Sequence, residues 1–209
     1  MTKRVFSIIL AGAIGLSSAA YGTNVFADQN SSDKTLIVYF SPSNSDMVDS
    51  VSGATPRVGD VSAVEYVAQM IEDTVDADVA KIIPETAYSV IYDDTADRAK
   101  SERDNNERPG FSLDVNPEDY DTIMIGYPIW WYGLPMVMET FFDTYDFSGK
   151  TIIPFNTHIG SRDSGTYADI AELEPDAAVL EGIAISANDV ADAEKDVAEW
   201  LAKLGYESR

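Results

Sequence analysis

Five runs rich in β-branched and aromatic residues alternate with helical or polar segments along this 209-residue chain. Apolar runs bounded by turn residues are typical of buried strands. These runs predict strands over 35–40, 79–83, 122–127, 151–155 and 178–185. Strands that alternate with helices favour a parallel sheet covered by helices on both faces, with right-handed crossovers. The sequence therefore predicts an α/β fold.

Helical spacing of apolar residues fills most of the intervals between these strands. The predicted helices cover 61–76, part of 88–107, 135–145, 166–173 and 189–204. In the first of them, Ser62 precedes Glu65 by three residues, which is a capping-box pattern at a helix start. No internal repeat is present, so we expect one domain over 35–209.

The first 27 residues have the order typical of a secretory signal. Lys3 and Arg4 precede about a dozen mainly apolar residues, and small residues then lead to Ala27. We expect cleavage after Ala27 and a flexible lead-in over 28–34. A membrane anchor is the alternative, but this apolar stretch is shorter than the ~20 residues that a span needs. The expectation is an exported protein, extracellular or in the cell envelope, without a transmembrane anchor after cleavage.

The charge balance and the missing cysteines exclude several classes of function. Asp and Glu number 36 against 14 Lys and Arg, so the formal net charge is −22. Such a surface repels nucleic acid and anionic membranes. The absence of cysteine excludes disulfide scaffolds, iron–sulfur clusters and thiol nucleophiles. One histidine leaves too few ligands for a predicted metal site.

Aromatic residues follow the third predicted strand, where an open α/β sheet binds its ligands beyond the carboxyl ends of the strands. This loop contains Pro128, Ile129, Trp130, Trp131 and Tyr132. Its rings are suited to stack on a flat heterocycle. Filling of a hydrophobic gap, or contact between two copies of the chain, is an equally good explanation of the residues alone.

Polar residues follow the first and fourth predicted strands. After the fourth strand, hydroxyls, backbone amides and an imidazole could bind the polar edge of a heterocycle: Thr157, His158, Gly160 and Ser161. His158 could equally be an ordinary hydrogen-bonded loop residue. After the first strand, hydroxyls and backbone N–H groups could hold a phosphate: Ser41, Ser43, Asn44 and Ser45. Asp46 and Asp49 lie close by in the sequence and would repel that phosphate.

The segment Gly126-Tyr127-Pro128-Ile129-Trp130-Trp131 resembles a segment of the flavodoxin-like family. Residues 157–161 resemble that family's second flavin loop, and the stretches 97–102 and 145–150 are also similar. The similarity covers about 35–206. It implies a three-layer sandwich whose five-stranded parallel sheet has the order 2-1-3-4-5, with FMN at the switch point between strands one and three.

The resemblance also implies a role for each candidate residue. Residues 128–132 would flank the isoalloxazine ring. Thr157, His158, Gly160 and Ser161 would line the pyrimidine edge of the ring. Ser41, Ser43, Asn44 and Ser45 would hold the phosphate.

The first loop departs from the family's Ser-x-Thr-Gly-Asn-Thr pattern, since 41–46 lacks the threonines and the glycine. The expected function is an exported FMN protein that carries electrons or acts as an oxidoreductase, with a redox partner that docks through a basic face. The flavin supplies the redox chemistry, so no catalytic side chain is predicted. A flavodoxin-like binding module with lost or weakened FMN binding is one alternative. An NAD(P)H-dependent FMN or quinone reductase is another.

Overall fold

The computed structural model describes residues 34–42, 57–58 and 60–207. The predicted signal over 1–27, nearly all of the lead-in, and Ser43, Asn44 and Ser45 lie outside the described residues. No helix in the described ranges has the length and apolar character that crossing a bilayer requires.

Strands and helices alternate through most of the described chain. The strands are β1 (Thr35–Phe40), β2 (Arg57–Val58), β3 (Val61–Ser62), β4 (Ala77–Pro84), β5 (Phe111–Ser112), β6 (Thr122–Pro128), β7 (Thr151–His158), β8 (Ala178–Val179) and β9 (Ile183–Ser186). The helices are α1 (Ala63–Glu72), α2 (Tyr92–Asp104), α3 (Met136–Thr144), α4 (Thr166–Leu173) and α5 (Glu194–Lys203). Single 3₁₀ turns occupy Pro117–Asp119 and Val190–Asp192. The predicted bounds of β1 and α4 agree with the structure, and the Ser62 hydroxyl accepts the Glu65 N–H at 3.2 Å as the capping pattern predicts.

The central sheet is mainly parallel, with β1 in the middle between β4 and β6. Within the described ranges it has seven strands, in the order β5-β4-β1-β6-β7-β8, and β9 also pairs with β7. The expected number of five strands was wrong. A short β5 pairs antiparallel with β4 at one edge, and the fifth predicted strand is split into β8 and β9. The order 2-1-3-4-5 therefore describes only the parallel strands and omits β5.

The split of the fifth strand lies opposite a proline inside β7. Ile152 pairs with Val179 in β8, and Phe155 pairs with Ile183 in β9, so three residues of the outer strand face two of β7. Pro154 lies in this interval and has no N–H to donate, and such residues are tolerated at bulges. The Trp200 indole N–H satisfies one carbonyl of the bulge, that of Glu181, at 3.0 Å.

Helices cover both faces of the sheet, as predicted. On one face, α2, α3 and α4 pack over a core that includes Val38, Ile125 and Phe141. On the other face, α1 and α5 pack over a core that includes Ile37 and Ile71. These two layers hold the strands rigidly, so the carboxyl ends of β1, β6 and β7 form a fixed edge.

Candidate functional site

The carboxyl ends of β1, β6 and β7 meet at one edge of the sheet. Tyr39 in β1 lies beside Gly126 in β6, and Gly126 lies beside Phe155 in β7. A side chain at position 126 would not fit, because a Cβ atom there would lie 2.2 Å from Phe155 Cζ. Beyond the strands, the Ile129 N–H donates to the Thr157 carbonyl at 2.9 Å. The structure thus brings together Ser41 and the two predicted loops that follow β6 and β7.

A tight turn follows β6, and we call Trp130–Gly133 the aromatic turn. The Trp130 N–H donates to the Gly133 carbonyl at 3.1 Å, and the Gly133 N–H donates back at 2.9 Å. Between them, Trp131 and Tyr132 have positive φ values of 48° and 63°. Positive φ at both central residues is the type I′ pattern, which normally takes Asn and Gly. Two bulky residues in this conformation store about 1–3 kcal/mol of strain each, and such strain is common at functional sites.

The three aromatic rings of this segment have three different environments. Trp130 is 5% exposed and lies edge-on to Phe40 and Tyr88, at centroid distances of 5.4 and 5.0 Å. Trp131 is 41% exposed, and its indole N–H donates to the Ala96 carbonyl in α2 at 3.0 Å. Tyr132 is 76% exposed. The structure therefore does not stack the three rings as one surface, and the role of each towards a flavin stays a prediction.

Trp130 also carries an unusual polar atom. Its indole nitrogen is buried and has no hydrogen-bond partner among the described residues. An unpaired buried donor costs about 1–3 kcal/mol, so native proteins retain few of them. Because Trp130 packs on Phe40, the last residue of β1, this donor lies close to where the first predicted ligand loop begins.

A partly buried ion pair in α2 contacts Tyr88, which packs edge-on against Trp130. Glu102 is 3% exposed and accepts hydrogen bonds from the Tyr88 hydroxyl at 2.8 Å and from Arg98 Nε at 2.7 Å. The Arg98 guanidinium lies 3.9 Å from the centre of the Tyr88 ring and also donates to the carbonyls of Thr86 and Ala87. Burial, and then the Glu102 charge, raise the pKa of Tyr88 well above its ordinary value, so its hydroxyl remains a donor.

Sequence reasoning missed this network. The one local pattern in the sequence that points to this network is the four-residue spacing of Arg98 and Glu102, and that spacing also suits an exposed helical ion pair. The contact of both side chains with Tyr88 depends on the tertiary structure.

His158 ends β7 and stabilises the loop that follows. The imidazole is mostly buried, and its Nδ1 accepts the Gly160 N–H at 2.9 Å. Burial lowers the pKa of His158, and the acceptor role of Nδ1 requires the neutral ring. The structure thus gives His158 a hydrogen-bonding role in the loop.

The loop over 159–165 is held by a side chain that the sequence analysis did not select. Asn156 is 1% exposed. Its Nδ2 donates to the Arg162 carbonyl at 3.0 Å, and its Oδ1 accepts from the Tyr167 hydroxyl at 2.6 Å. Ser161 contributes its carbonyl, which accepts the Ser164 N–H at 3.1 Å. The amide of Asn156 therefore fixes the position of the loop relative to α4.

Gly160 has a φ of 86°, which favours glycine, and a Cβ atom there would meet nothing within 4 Å. Open space therefore borders the loop at this residue. Among the described residues, no group of three His, Asp or Glu side chains is placed to hold a metal ion.

An α/β sandwich with ligand loops at the carboxyl edge of a mainly parallel sheet defines a class of nucleotide- and flavin-binding folds. The family profile described as flavodoxin matches residues 34–204, and the chain belongs to the flavodoxin family. No curated protein matches it.

Solved structures with the same fold include two crystal structures described as putative flavoproteins. The one from Bacteroides uniformis ATCC 8492 is 27% identical, with a TM-score of 0.63, and the match covers 81% of this chain and 98% of that one. The one from Bacteroides eggerthii DSM 20697 is 25% identical, with a TM-score of 0.62, and the match covers 82% and 98%. A flavoprotein from Lactobacillus acidophilus NCFM, solved in complex with FMN, is 20% identical with a TM-score of 0.54 over 78% of this chain and 99% of that one.

Proposed function

We propose that this chain binds FMN at the carboxyl edge of its sheet and transfers electrons through it. The observation that carries this proposal is that the carboxyl ends of β1, β6 and β7 lie side by side, with β4 next to β1 on one side and β6 on the other. In open α/β sheets this switch point is where ligands bind. Membership in the flavodoxin family supports FMN as that ligand.

The residues at this edge fit such a cofactor. The buried indole N–H of Trp130 has no hydrogen-bond partner in the part of the chain that the structure describes, and a ligand oxygen can satisfy it. Tyr132 offers an exposed aromatic ring, and the loop at Gly160 leaves space beside it. Ser41 begins the phosphate loop that the sequence predicts. Hydroxyl and backbone N–H donors are neutral and can bind a phosphate without a basic side chain, which suits a chain with a net charge of −22.

FMN, when bound, supplies one- and two-electron transfer. The residues of this chain bind and orient the ring and limit the access of water. The surface beside the site is acidic, since Asp93, Asp94 and Asp97 are exposed on the first half of α2, which starts at this edge. We propose that a redox partner docks here through a basic face, with attraction that weakens as salt increases.

We also propose that the protein is exported. The support is the basic, apolar and small-residue order of the first 27 residues. Sequencing of the amino terminus of the secreted protein tests this proposal. A start at Asp28 is expected, and a start at Met1 would contradict cleavage after Ala27.

The missing glycine and threonines in 41–46 favour one other candidate, a module of the same fold that no longer retains FMN. Titration of the purified protein with FMN and, separately, with riboflavin tests the two. FMN binding should quench flavin fluorescence at micromolar concentration and leave bands near ~370 and ~450 nm after desalting. Weaker binding of riboflavin would show that the phosphate is recognised, and no retained flavin at all would refute the proposed function.

A further inference from the structure

Trp131 joins the aromatic turn to α2 at two points. Its indole N–H donates to the Ala96 carbonyl at 3.0 Å, and its own carbonyl accepts from the Arg103 guanidinium. Ala96 and Arg103 lie seven residues apart on α2, which is about two helical turns or ~10 Å. The two bonds therefore hold the turn along one side of the helix and restrict its rotation.

The aromatic turn needs bonds from outside, because its backbone conformation is unfavourable for its sequence. Trp131 and Tyr132 both have positive φ values, and the turn itself has only the paired bonds between Trp130 and Gly133. Strained residues persist where the surroundings determine their conformation. Here α2 provides those surroundings, and α2 is itself fixed to the core by the buried Glu102.

The side chain of Tyr132 differs from its neighbours in having no hydrogen-bond or ring partner among the described residues. Trp130 is enclosed by Phe40 and Tyr88, and the Trp131 indole is hydrogen-bonded to α2. Three quarters of Tyr132 is exposed. Its φ of 63° sets the direction of the Cα–Cβ bond from which the ring extends.

We propose that Trp131 is a positioning residue that fastens the aromatic turn to α2, and that Tyr132 is the residue of this turn whose ring contacts the flavin. The contact of Tyr132 rests on the proposed function, whereas the role of Trp131 does not. This assignment differs from the sequence-based expectation that both Trp131 and Tyr132 flank the ring.

The role of Trp131 can be tested without flavin by amide hydrogen exchange on the full chain. In Trp131→Phe the aromatic ring remains, but the bond to Ala96 is lost. In Arg103→Gln the charged donor to the turn is lost, while Trp131 is unchanged. Each variant should speed exchange of the Gly133 amide by ~2- to 10-fold, which corresponds to one hydrogen bond. Tyr132→Asn is the matched control, because Asn accepts positive φ and the two bonds to α2 remain.

The role of Tyr132 is tested by FMN titration and by the visible circular dichroism of bound FMN. Tyr132→Asn should weaken FMN binding by ~3- to 10-fold, as expected for the loss of one stacking pair. Its Gly133 exchange should be unchanged or slower than in the parent, because Asn relieves the strain of a positive φ. Trp131→Phe should weaken the dichroism of bound FMN, because the turn then holds the ring less rigidly. A structural role unrelated to the ligand would leave the dichroism unchanged.

Several outcomes would overturn the proposal. Unchanged Gly133 exchange in both Trp131→Phe and Arg103→Gln would refute the positioning role. If Trp131→Phe binds FMN normally and Trp131→Ala does not, the Trp131 ring itself contacts the flavin. If the parent protein binds no FMN, the proposed function fails and the contact of Tyr132 fails with it, while the exchange data still decide the role of Trp131. Far-ultraviolet dichroism of each variant identifies one that has not folded, and the remaining variant then decides.

Discussion

Replacement of Asn156 by alanine should destabilise the protein through the two bonds that its amide makes. Asn156 lies in β7 with almost no solvent exposure, donates to the Arg162 carbonyl and accepts from the Tyr167 hydroxyl. Burial raises the pKa of Tyr167 well above its ordinary value, so its hydroxyl donates across the accessible pH range. Asn156→Ala removes both bonds and leaves a cavity the size of an amide group.

The two losses differ in size because their partners differ in access to water. Arg162 is exposed, so its carbonyl can bind water, and the loss there is about 0.5–1.5 kcal/mol. The Tyr167 hydroxyl points into the structure and loses its acceptor without replacement, which costs about 1–3 kcal/mol. We therefore expect a total decrease in the free energy of unfolding of about 1.5–4.5 kcal/mol.

Urea unfolding at neutral pH measures this decrease, and Tyr167→Phe separates its parts. Tyr167→Phe removes one of the two bonds and should cost less than Asn156→Ala. In the double variant the two effects should be less than additive, with a coupling energy of about 0.5–2 kcal/mol. Additive effects, or a loss below about 0.5 kcal/mol in Asn156→Ala, would refute the argument that this amide holds the loop over 159–165.

Three further predictions concern other parts of the molecule. Burial, and then the charges of Asp146 and Asp143, raise the pKa of Glu174 from 4.5 to about 7. The folded state therefore binds more protons than the unfolded state in this range, and stability should fall as pH rises from about 4.5 to about 7. Glu174→Gln should therefore have a higher urea midpoint than the parent at pH ~8 and the same midpoint at pH ~4, and equal midpoints at both would contradict the shift. Gly126→Ala should cost about 1–3 kcal/mol or more in thermal unfolding, because its Cβ would overlap the Phe155 ring, whereas in the control Gly133→Ala the nearest atom is 4.0 Å away. Trp130→Phe removes an indole N–H that has no partner among the described residues, and this gain offsets the cavity left by the smaller ring, so ligand-free stability should change by less than about 1 kcal/mol. FMN affinity should fall by ~3- to 10-fold, and an unchanged affinity would show that this N–H does not meet the ligand.

Local patterns predicted several elements correctly because local chemistry decides them. The β-branched run of β1 and the span of α4 have the predicted bounds, and the Ser62 cap depends only on residues three positions apart. The alternation of strands and helices was enough to predict the sandwich. The same information placed the candidate residues after β6 and at the end of β7 at the carboxyl edge, where the structure brings them together, whereas Ser43, Asn44 and Ser45 lie outside the described residues.

Features that depend on distant partners were not predictable from these patterns. The type I′ conformation of Trp131 and Tyr132 goes against the preference of such turns for Asn and Gly, and its support comes from α2, some thirty residues earlier. The burial of Glu102 in the most polar helix depends on Tyr88 as well as Arg98, and the four-residue spacing of Arg98 and Glu102 does not distinguish it from an exposed ion pair. The short β5 edge strand was missed because two residues carry no periodicity.

The bulge opposite Pro154 determines which of the two cores each residue of the outer strand packs into. Side chains alternate between the two faces of a strand, so one extra residue reverses the alternation beyond it. Val179, before the bulge, packs in the layer of α2, α3 and α4, whereas Ile183 and Ile185, after it, pack in the layer of α1 and α5. Without the reversal, residues 179, 183 and 185 would all face the same layer. Deletion of one residue from 180–182 would leave two residues opposite two of β7, so a regular strand would still direct both isoleucines towards α5. We therefore expect loss of one residue here to be tolerated better than insertion of one, which would reverse the facing of both isoleucines.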